Sequence, residues 1–310
     1  MYQPRTDIAL EAHETAIKNN GNKLDGIICR EEITMGFSMT KVEIKSEEAS
    51  RITSKPRGKY LTLHTGELWN EPSENLIRAS KALSTLIRRL SENFIKEEST
   101  VLVVGLGNVT ITADAIGPKA LEHIIVSRHI KESAPEVFKG LGLIDISAIA
   151  PGVLSQTGIE TEEIIKSVVD RIRPSVVVAI DSLASRNLDR LVKTIQLSDT
   201  GITPGSGIGN HRNALNRETL GVPVISIGIP TVVDADALAY DILEKYSKND
   251  VTIKSLLEKC FNNNEESLKY FVTPKDTDLI ISSLSKVIGY GINLAFHKNI
   301  NYEEMVSLAN

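Results

Sequence analysis

The sequence predicts an α/β fold: a doubly wound, mostly parallel sheet sandwiched by helices, with a small β region ahead of it. Three observations carry this expectation. Four short runs, "TVLVVGLG" (100–107), "LIDISAIAPG" (143–152), "PSVVVAIDSL" (174–183) and "GVPVISIGIP" (221–230), are nearly continuous in Val, Ile and Ala, as strands buried on both faces are. Helical patterns separate them, and strand–helix alternation of this kind folds into a parallel sheet with right-handed crossovers. The length of 310 residues suits one large α/β domain.

Taken in order, residues 1–32 are polar and mixed. Residues 33–66 hold two strand-like runs, "TKVEIKS" and "YLTLHT", around a polar stretch with "KPRGK", and read as a small β subregion. "EPSENLIRASKALSTLIRRLSENFI" (71–95) is a long amphipathic helix. Leu76, Ile77, Leu83, Leu86, Ile87, Leu90 and Phe94 recur at helical spacing, and Ser73 stands where an N-cap belongs. The four apolar runs are followed by "GPKALEHIIVSRHI", "TEEIIKSVVDRIR", "SRNLDRLVKTIQ" and "DADALAYDILEKY", each with a helical period. "TDLIISSLSKVIGYGINLAFH" (277–297) predicts a last helix. No internal repeat or low-complexity linker divides the chain.

Composition narrows the function. The net charge is −5 and no basic stripe occurs, which argues against direct nucleic-acid binding. "IRRL" (87–90) reads as a solvated helix face. No apolar run is read as reaching the roughly 20 residues of a membrane span, and "MYQPRTDIALEAHE" is too polar for a secretory signal. No membrane partner and a cytoplasmic location are therefore expected. Cys29 and Cys260 lie far apart with no CxxC pattern, which fits reduced thiols and neither a zinc cluster nor a disulfide framework.

In an open parallel sheet the crevice lies at the C-terminal ends of the strands. The segments to read are thus "GNVTITADAIGP", "APGVLSQTG", "DSLASRN" and "PTVVDADA". Gly105 and Gly107 begin like a dinucleotide loop, but the third glycine is missing and Asp114 follows Gly107 by only seven positions, against about 20 for the nucleotide pattern. A nucleotide-binding small-molecule enzyme is the runner-up that these glycines leave open. Asp114 lies in the loop after the first run, and Asp181 stands where "VVVAI" runs straight into an acid. Two acids on one crevice do not both ionise easily; one keeps its proton and the other acts as a base towards water, which suits amide hydrolysis. The structural alternatives are a loop-tying carboxylate for Asp114 and a helix N-cap for Asp181. A second glycine cluster, "TPGSGIGNHRN" (203–213), reads as a substrate-contacting loop. Substrate contacts are expected from Gly105, Gly107 and Asn108 in the first loop and Gly205, His211 and Arg212 in the second. Asp234 and Asp236 suit a helix start better than a metal site. No G-x-S-x-G elbow occurs, and Cys29 has no neighbouring histidine.

Six blocks then combine: "RTDIALEAHE", "GLGNVTITADAIGP", "DISAIAPGVLSQTGIET", "AIDSLASR", "SDTGITPGSGIGNHR" and "LGVPVISIGIPTVVDA". In this order, from the N-terminus to about residue 245, they resemble the germination proteases of spore-forming Firmicutes. The resemblance implies an endopeptidase that degrades small acid-soluble spore proteins, its partners, in the cytoplasm of the forespore or spore core. It implies a fold like that of hydrogenase maturation endopeptidases, a homotetramer, and atypical aspartic catalysis by the acids of "TADAIGP" and "AIDSLASR", here Asp114 and Asp181. No cofactor is expected. A metal at the pair is the alternative, since the maturation relatives bind one, but their metal-binding histidine has no counterpart placed here. The resemblance further implies a zymogen that removes its own propeptide, with cleavage after an acid followed by an aliphatic residue, Ala, any residue and Glu. "RTDIALE" has that form, so the expected cut lies between Asp7 and Ile8, releasing residues 1–7 from a single peptidase domain, 8–310. A non-catalytic module that binds spore proteins is the remaining alternative.

Overall fold

A sheet of nine strands organises the computed structural model, which describes residues 6–20, 24–96, 98–206, 212–246, 270–297 and 299–309. In chain order the elements are α1 (Ala9–Asn20), β1 (Ile27–Thr34), β2 (Phe37–Ile44), α2 (Glu47–Thr53), β3 (Gly58–His64), α3 (Ser73–Ser91), β4 (Thr100–Gly105), α4 (Ile116–Leu121), α5 (Arg128–Ser133), α6 (Pro135–Gly140), β5 (Asp145–Ile149), α7 (Leu154–Thr157), α8 (Thr161–Ile172), β6 (Val176–Ser185), β7 (Thr194–Ser198), α9 (Arg217–Leu220), β8 (Val224–Asp234), α10 (Ala235–Tyr246), β9 (Phe271–Val272), α11 (Thr277–Phe296) and α12 (Tyr302–Ala309). Single 3-10 turns lie at Leu68–Asn70 and Thr112–Asp114.

The strand order is β1-β2-β3-β7-β8-β6-β4-β5, with β9 beside β8. The four apolar runs form the parallel half, β5-β4-β6-β8, as expected. The remaining pairings are antiparallel, so the sheet is mixed and flanked by helices on both faces. The β subregion expected at 33–66 starts earlier, at Ile27, and is not set apart: β3 pairs with β7 from Tyr60↔Ser198 to His64↔Thr194. The β1–β2 hairpin turns at Met35 (φ 50°) and Gly36 (φ 82°), the two positive angles that a twisted two-residue hairpin requires.

Three helix expectations change. "SRNLDRLVKTIQ" is not a helix. β6 runs on through Ser185, Leu191 and Val192 turn into the core, and β7 follows with strict alternation of Ile195 and Leu197 against Gln196 and Ser198. Val192 sits at φ 56° and gives its N–H to the Pro230 carbonyl (2.7 Å), which fixes the turn against β8. "GPKALEHIIVSRHI" forms two short helices, because Asn293 takes the backbone between them: Ile125 N–H donates to its Oδ1 (2.9 Å) and its Nδ2 donates to His123 O (2.8 Å). At the start of α3, Pro72 occupies the N-cap and Ser73 is already helical, with no capping bond from a side chain.

The main core lies between one face of the sheet and α3 and α11. By length and composition α11 could cross a membrane, contrary to the reading that no segment is long enough, but its apolar residues are taken up by the core, from Ile280 and Leu284 to Ile292 and Phe296. Gly291 lets it close on α3: a Cβ there would lie 2.8 Å from Leu83 Cδ2. The opposite face carries a cluster under α8 and another in which Ile8, Ala9 and Leu10 pack with Val42, Ile44, Tyr60 and Leu183.

Candidate active site

β4 stops one residue before the acids begin. Its last pair is Gly105↔Ile180, and Leu106 N–H then donates to Ile180 O (2.8 Å). β6 continues five residues further, to Ser185. Asp181 is the first residue of this projecting stretch. It is buried, and its Oδ1 accepts the Ser182 N–H (2.9 Å). Since Asp181 lies inside a strand with no helix after it, the N-cap alternative falls away.

The glycines of the first loop press the chain onto the strand ends. A Cβ on Gly105 would lie 2.5 Å from Gly117 O, and one on Gly107, at φ 112°, would lie 2.0 Å from Asp114 O. Only glycine fits such a backbone approach. This contact sets Asp114, at the end of the 3-10 turn, against the loop entry, where its Oδ2 accepts the Asn108 N–H (2.8 Å). The Asn108 side chain is internal to the loop: its Oδ1 accepts from Thr110 N–H (3.0 Å), the Thr110 hydroxyl (2.8 Å) and Gln156 Nε2 (2.9 Å). The N–H and side chain that a phosphate cradle would turn outward are thus spent on the loop and on Gln156 of α7.

The acids differ in setting. Burial raises the Asp114 pKa, opposed by the Asn108 N–H and the positive charge of Arg212. Asp181 is pushed well above the usual carboxylate range, first by burial and then by the negative charges of Asp114 and Asp7; the Ser182 N–H opposes this. Unequal environments of this kind separate an acid from a base. Arg212 faces this site with its Nη1 buried and without a hydrogen-bond partner among the described residues. Gly205, at φ 71°, shapes the turn before Ser206, while His211 lies outside the described residues. Among the described residues no group of three or more His, Cys, Asp or Glu is placed to hold a metal ion. Asp234 caps α10 by accepting from Asp236 N–H (2.8 Å) and Ala237 N–H (3.3 Å).

A peptide segment is docked beside the acids, and it is the chain's own. Asp7 N–H donates to Ala184 O and Ala184 N–H to the Asp7 carboxylate, both at 2.9 Å; the Ser206 hydroxyl donates to its other oxygen (2.6 Å). Lys55 Nζ donates to Thr6 O (3.0 Å), and burial lowers its pKa against the opposing pull of Asp7 and Glu11. Ile8 and Ala9 are fully buried. Gln196 spans them: its Oε1 accepts Ala9 N–H (2.6 Å) and its Nε2 donates to Asp7 O (3.1 Å). Glu11, 2% exposed, fills a socket at the end of β6. It accepts the Ser185 hydroxyl (2.8 Å), Arg186 N–H (2.7 Å) and Asn187 N–H (3.1 Å), with Arg190 at 3.6 Å. Lys55, Gln196 and this socket are invisible to motif reading. A weak signal was available at Gln196, a polar residue alternating with apolar ones in "TIQLS".

An α/β sandwich that sets two acids of unequal burial beside a docked peptide segment has the features of a peptidase. Comparison with known proteins makes the assignment particular. The family model described as germination protease matches residues 5–250, and the chain belongs to the germination protease family. It is 43% identical to the germination protease of Caldanaerobacter subterraneus subsp. tengcongensis, covering 98% of this chain and 97% of the relative. Identity to the Clostridium perfringens (strain 13) protein is 40% with both chains fully covered, and to the Priestia megaterium protein 35%, covering 97% and 96%.

Proposed function

We propose that this peptidase starts the breakdown of small acid-soluble spore proteins at germination, and that it is made as a zymogen that cuts itself between Asp7 and Ile8. The observation that supports this most is the docked segment. Its Asp7 and Glu11 carboxylates are held at Ala184 and Ser185 of β6, Ile8, Ala9 and Leu10 pack with Leu183, and the Asp7 carboxylate is near enough to raise Asp181 further. On this reading Asp181, the more deeply buried acid, keeps its proton and serves the leaving amine. Asp114, eased by Asn108 N–H and Arg212, ionises first and draws a proton from water. The two acids supply both proton transfers themselves, so the reading needs no metal. The crowd of Asp7, Asp114 and Asp181 holds protons to higher pH than isolated acids, which offers a route for acidification to trigger processing. The reading extends to a homotetramer working in the cytoplasm of the forespore or spore core.

The test is incubation of the 310-residue chain at mildly acidic pH, then N-terminal sequencing, with purified spore acid-soluble protein as the second substrate. A new terminus at Ile8, fragments cut after acidic residues and a bell-shaped pH profile are expected. Chelator-sensitive activity restored by added metal would replace the metal-free reading. Absence of cleavage in both substrates would remove the proposal.

A further inference from the structure

We infer that Gln196 is a catalytic residue: its side-chain amide is the donor that stabilises the oxyanion formed when the Asp7–Ile8 bond is cut. This rests on the reading of that bond as the scissile one. Three observations carry it. Gln196 Nε2 donates to the Asp7 carbonyl oxygen at 3.1 Å in the ground state, so a donor already faces the oxygen on which charge develops when the carbonyl carbon is attacked. The orientation of the amide is fixed by its other contact. Ala9 N–H can only donate, so the atom 2.6 Å from it is Oε1, and Nε2 must face the carbonyl. The sheet also sets Gln196 in line with the acids. Gln196 pairs with Gly228 on one side, and Asp181 pairs with Gly228 on the other, so Gln196 and Asp181 project from the same face of the two strands that flank β8, with a glycine between them.

Gln196 is 7% exposed and its neighbour Leu183 covers Gly228: a Cβ there would lie 2.4 Å from Leu183 Cδ1. A donor held in place on both sides needs little reorganisation as charge develops. A cavity of about 690 Å³ reaches Asp7, Leu183 and Gln196 and admits water. The step balances as hydrolysis. Water oxygen bonds to the Asp7 carbonyl carbon as its proton passes to the base. The carbonyl electron pair moves onto oxygen, where Nε2–H holds it. When that pair returns, the C–N bond breaks, and the Ile8 nitrogen leaves with the bonding pair and takes the proton of the acid. By accepting from Ala9 N–H, Gln196 also holds the peptide on the leaving side of the bond.

The experiment compares the full-length wild type, Gln196→Met and Gln196→Glu for the rate of appearance of the Ile8 terminus after acidification, with thermal melting of each chain. Met keeps the length and removes donor and acceptor. Glu keeps an acceptor for Ala9 N–H and removes the donor when ionised. The inference expects a wild type that forms the Ile8 terminus, and variants slowed about 100- to 1,000-fold with folded melts. If one variant fails to fold, the other decides. A variant that processes within threefold of wild type at every pH overturns the role of Gln196 and leaves the Asp7–Ile8 reading standing. A wild type that never yields Ile8 overturns that reading and this inference with it. Because a protonated Glu would still donate, the Glu variant is read across the processing pH range: a deficit that grows as pH rises separates a lost donor from lost docking, since Glu retains the Ala9 contact, and a wild-type rate at every pH overturns the oxyanion role.

Discussion

Replacing Glu11 by Gln exchanges one oxygen for a nitrogen and keeps the shape, yet the socket is built so that the change is costly. Both carboxylate oxygens face main-chain donors: Oε2 accepts Arg186 N–H and Oε1 accepts Asn187 N–H. An amide has one oxygen, so its NH₂ must face one of these N–H groups, donor against donor. A buried unsatisfied N–H costs about 1–3 kcal/mol, and loss of charge assistance on the surviving bonds adds roughly another 1 kcal/mol. The sum, about 2–4 kcal/mol, corresponds to a roughly 30- to 900-fold fall in the docked population of the segment. The domain itself need not unfold, because the segment can detach while the sheet stays intact. Hydrogen exchange at the amides of Ile8, Ala9 and Leu10 is the direct assay. These amides should lose protection in the Gln variant, while those of β4 and β6 keep theirs, and acid-triggered processing should slow at least tenfold. Exchange at Ile8–Leu10 within threefold of wild type would refute the argument that the socket holds the segment.

Three further predictions follow from the same geometry. Asp114→Asn and Asp181→Asn should each slow hydrolysis by ~100-fold or more; because folded pKa values raised above the ordinary one favour the native state below about pH 3.9 and cost stability as pH climbs through them, both variants should also melt higher than wild type at pH 7.5, with the gap closing towards pH 4. His297 is fully enclosed, with Ile144 N–H donating to its Nδ1 (3.3 Å) and Nε2 facing Ile125 O (3.2 Å), and burial drops its pKa to about 4; its contribution, on the order of 3 kcal/mol, is whole above about pH 6.5 and drains away as pH falls towards 4, so acid melts of wild type should steepen over that window and those of His297→Gln should not. Gly107→Ala forces a Cβ to 2.0 Å from Asp114 O at φ 112° and should cost about 1–3 kcal/mol and more than tenfold in activity, measured by melting and peptide cleavage.

The parallel half of the sheet was legible because burial on both faces leaves an unbroken Val, Ile and Ala signature at β4, β6 and β8. β1 was not, because "IICREEIT" fully buries none of its side chains and offers no apolar alternation. β7 hid inside an apparent helical period, and its strand state is set by pairing with β3 and β8, neither of which is local. Asp114 and Asp181 stood out as acids at the ends of apolar runs, where charge is expensive. Gln196 did not, because its meaning comes from Gly228 on the strand between it and Asp181 and from Asp7, 189 positions away. The Glu11 socket is likewise assembled across 174 positions, by Ser185 and its neighbours.

That long reach has a consequence for biosynthesis. The segment at Asp7 emerges from the ribosome first, and Val42, Lys55 and Tyr60 follow soon after, but Ala184, Ser185, Gln196 and Ser206, which hold its polar groups, come late. At roughly 5–20 residues per second, close to 180 further residues take on the order of 10–40 s. For that interval the segment lacks its β6 and β7 partners, and β3 has no β7 to join. Translation order therefore acts as a timer, and a newly made chain can present its own first residues to the acids only once more than half of it has been synthesised.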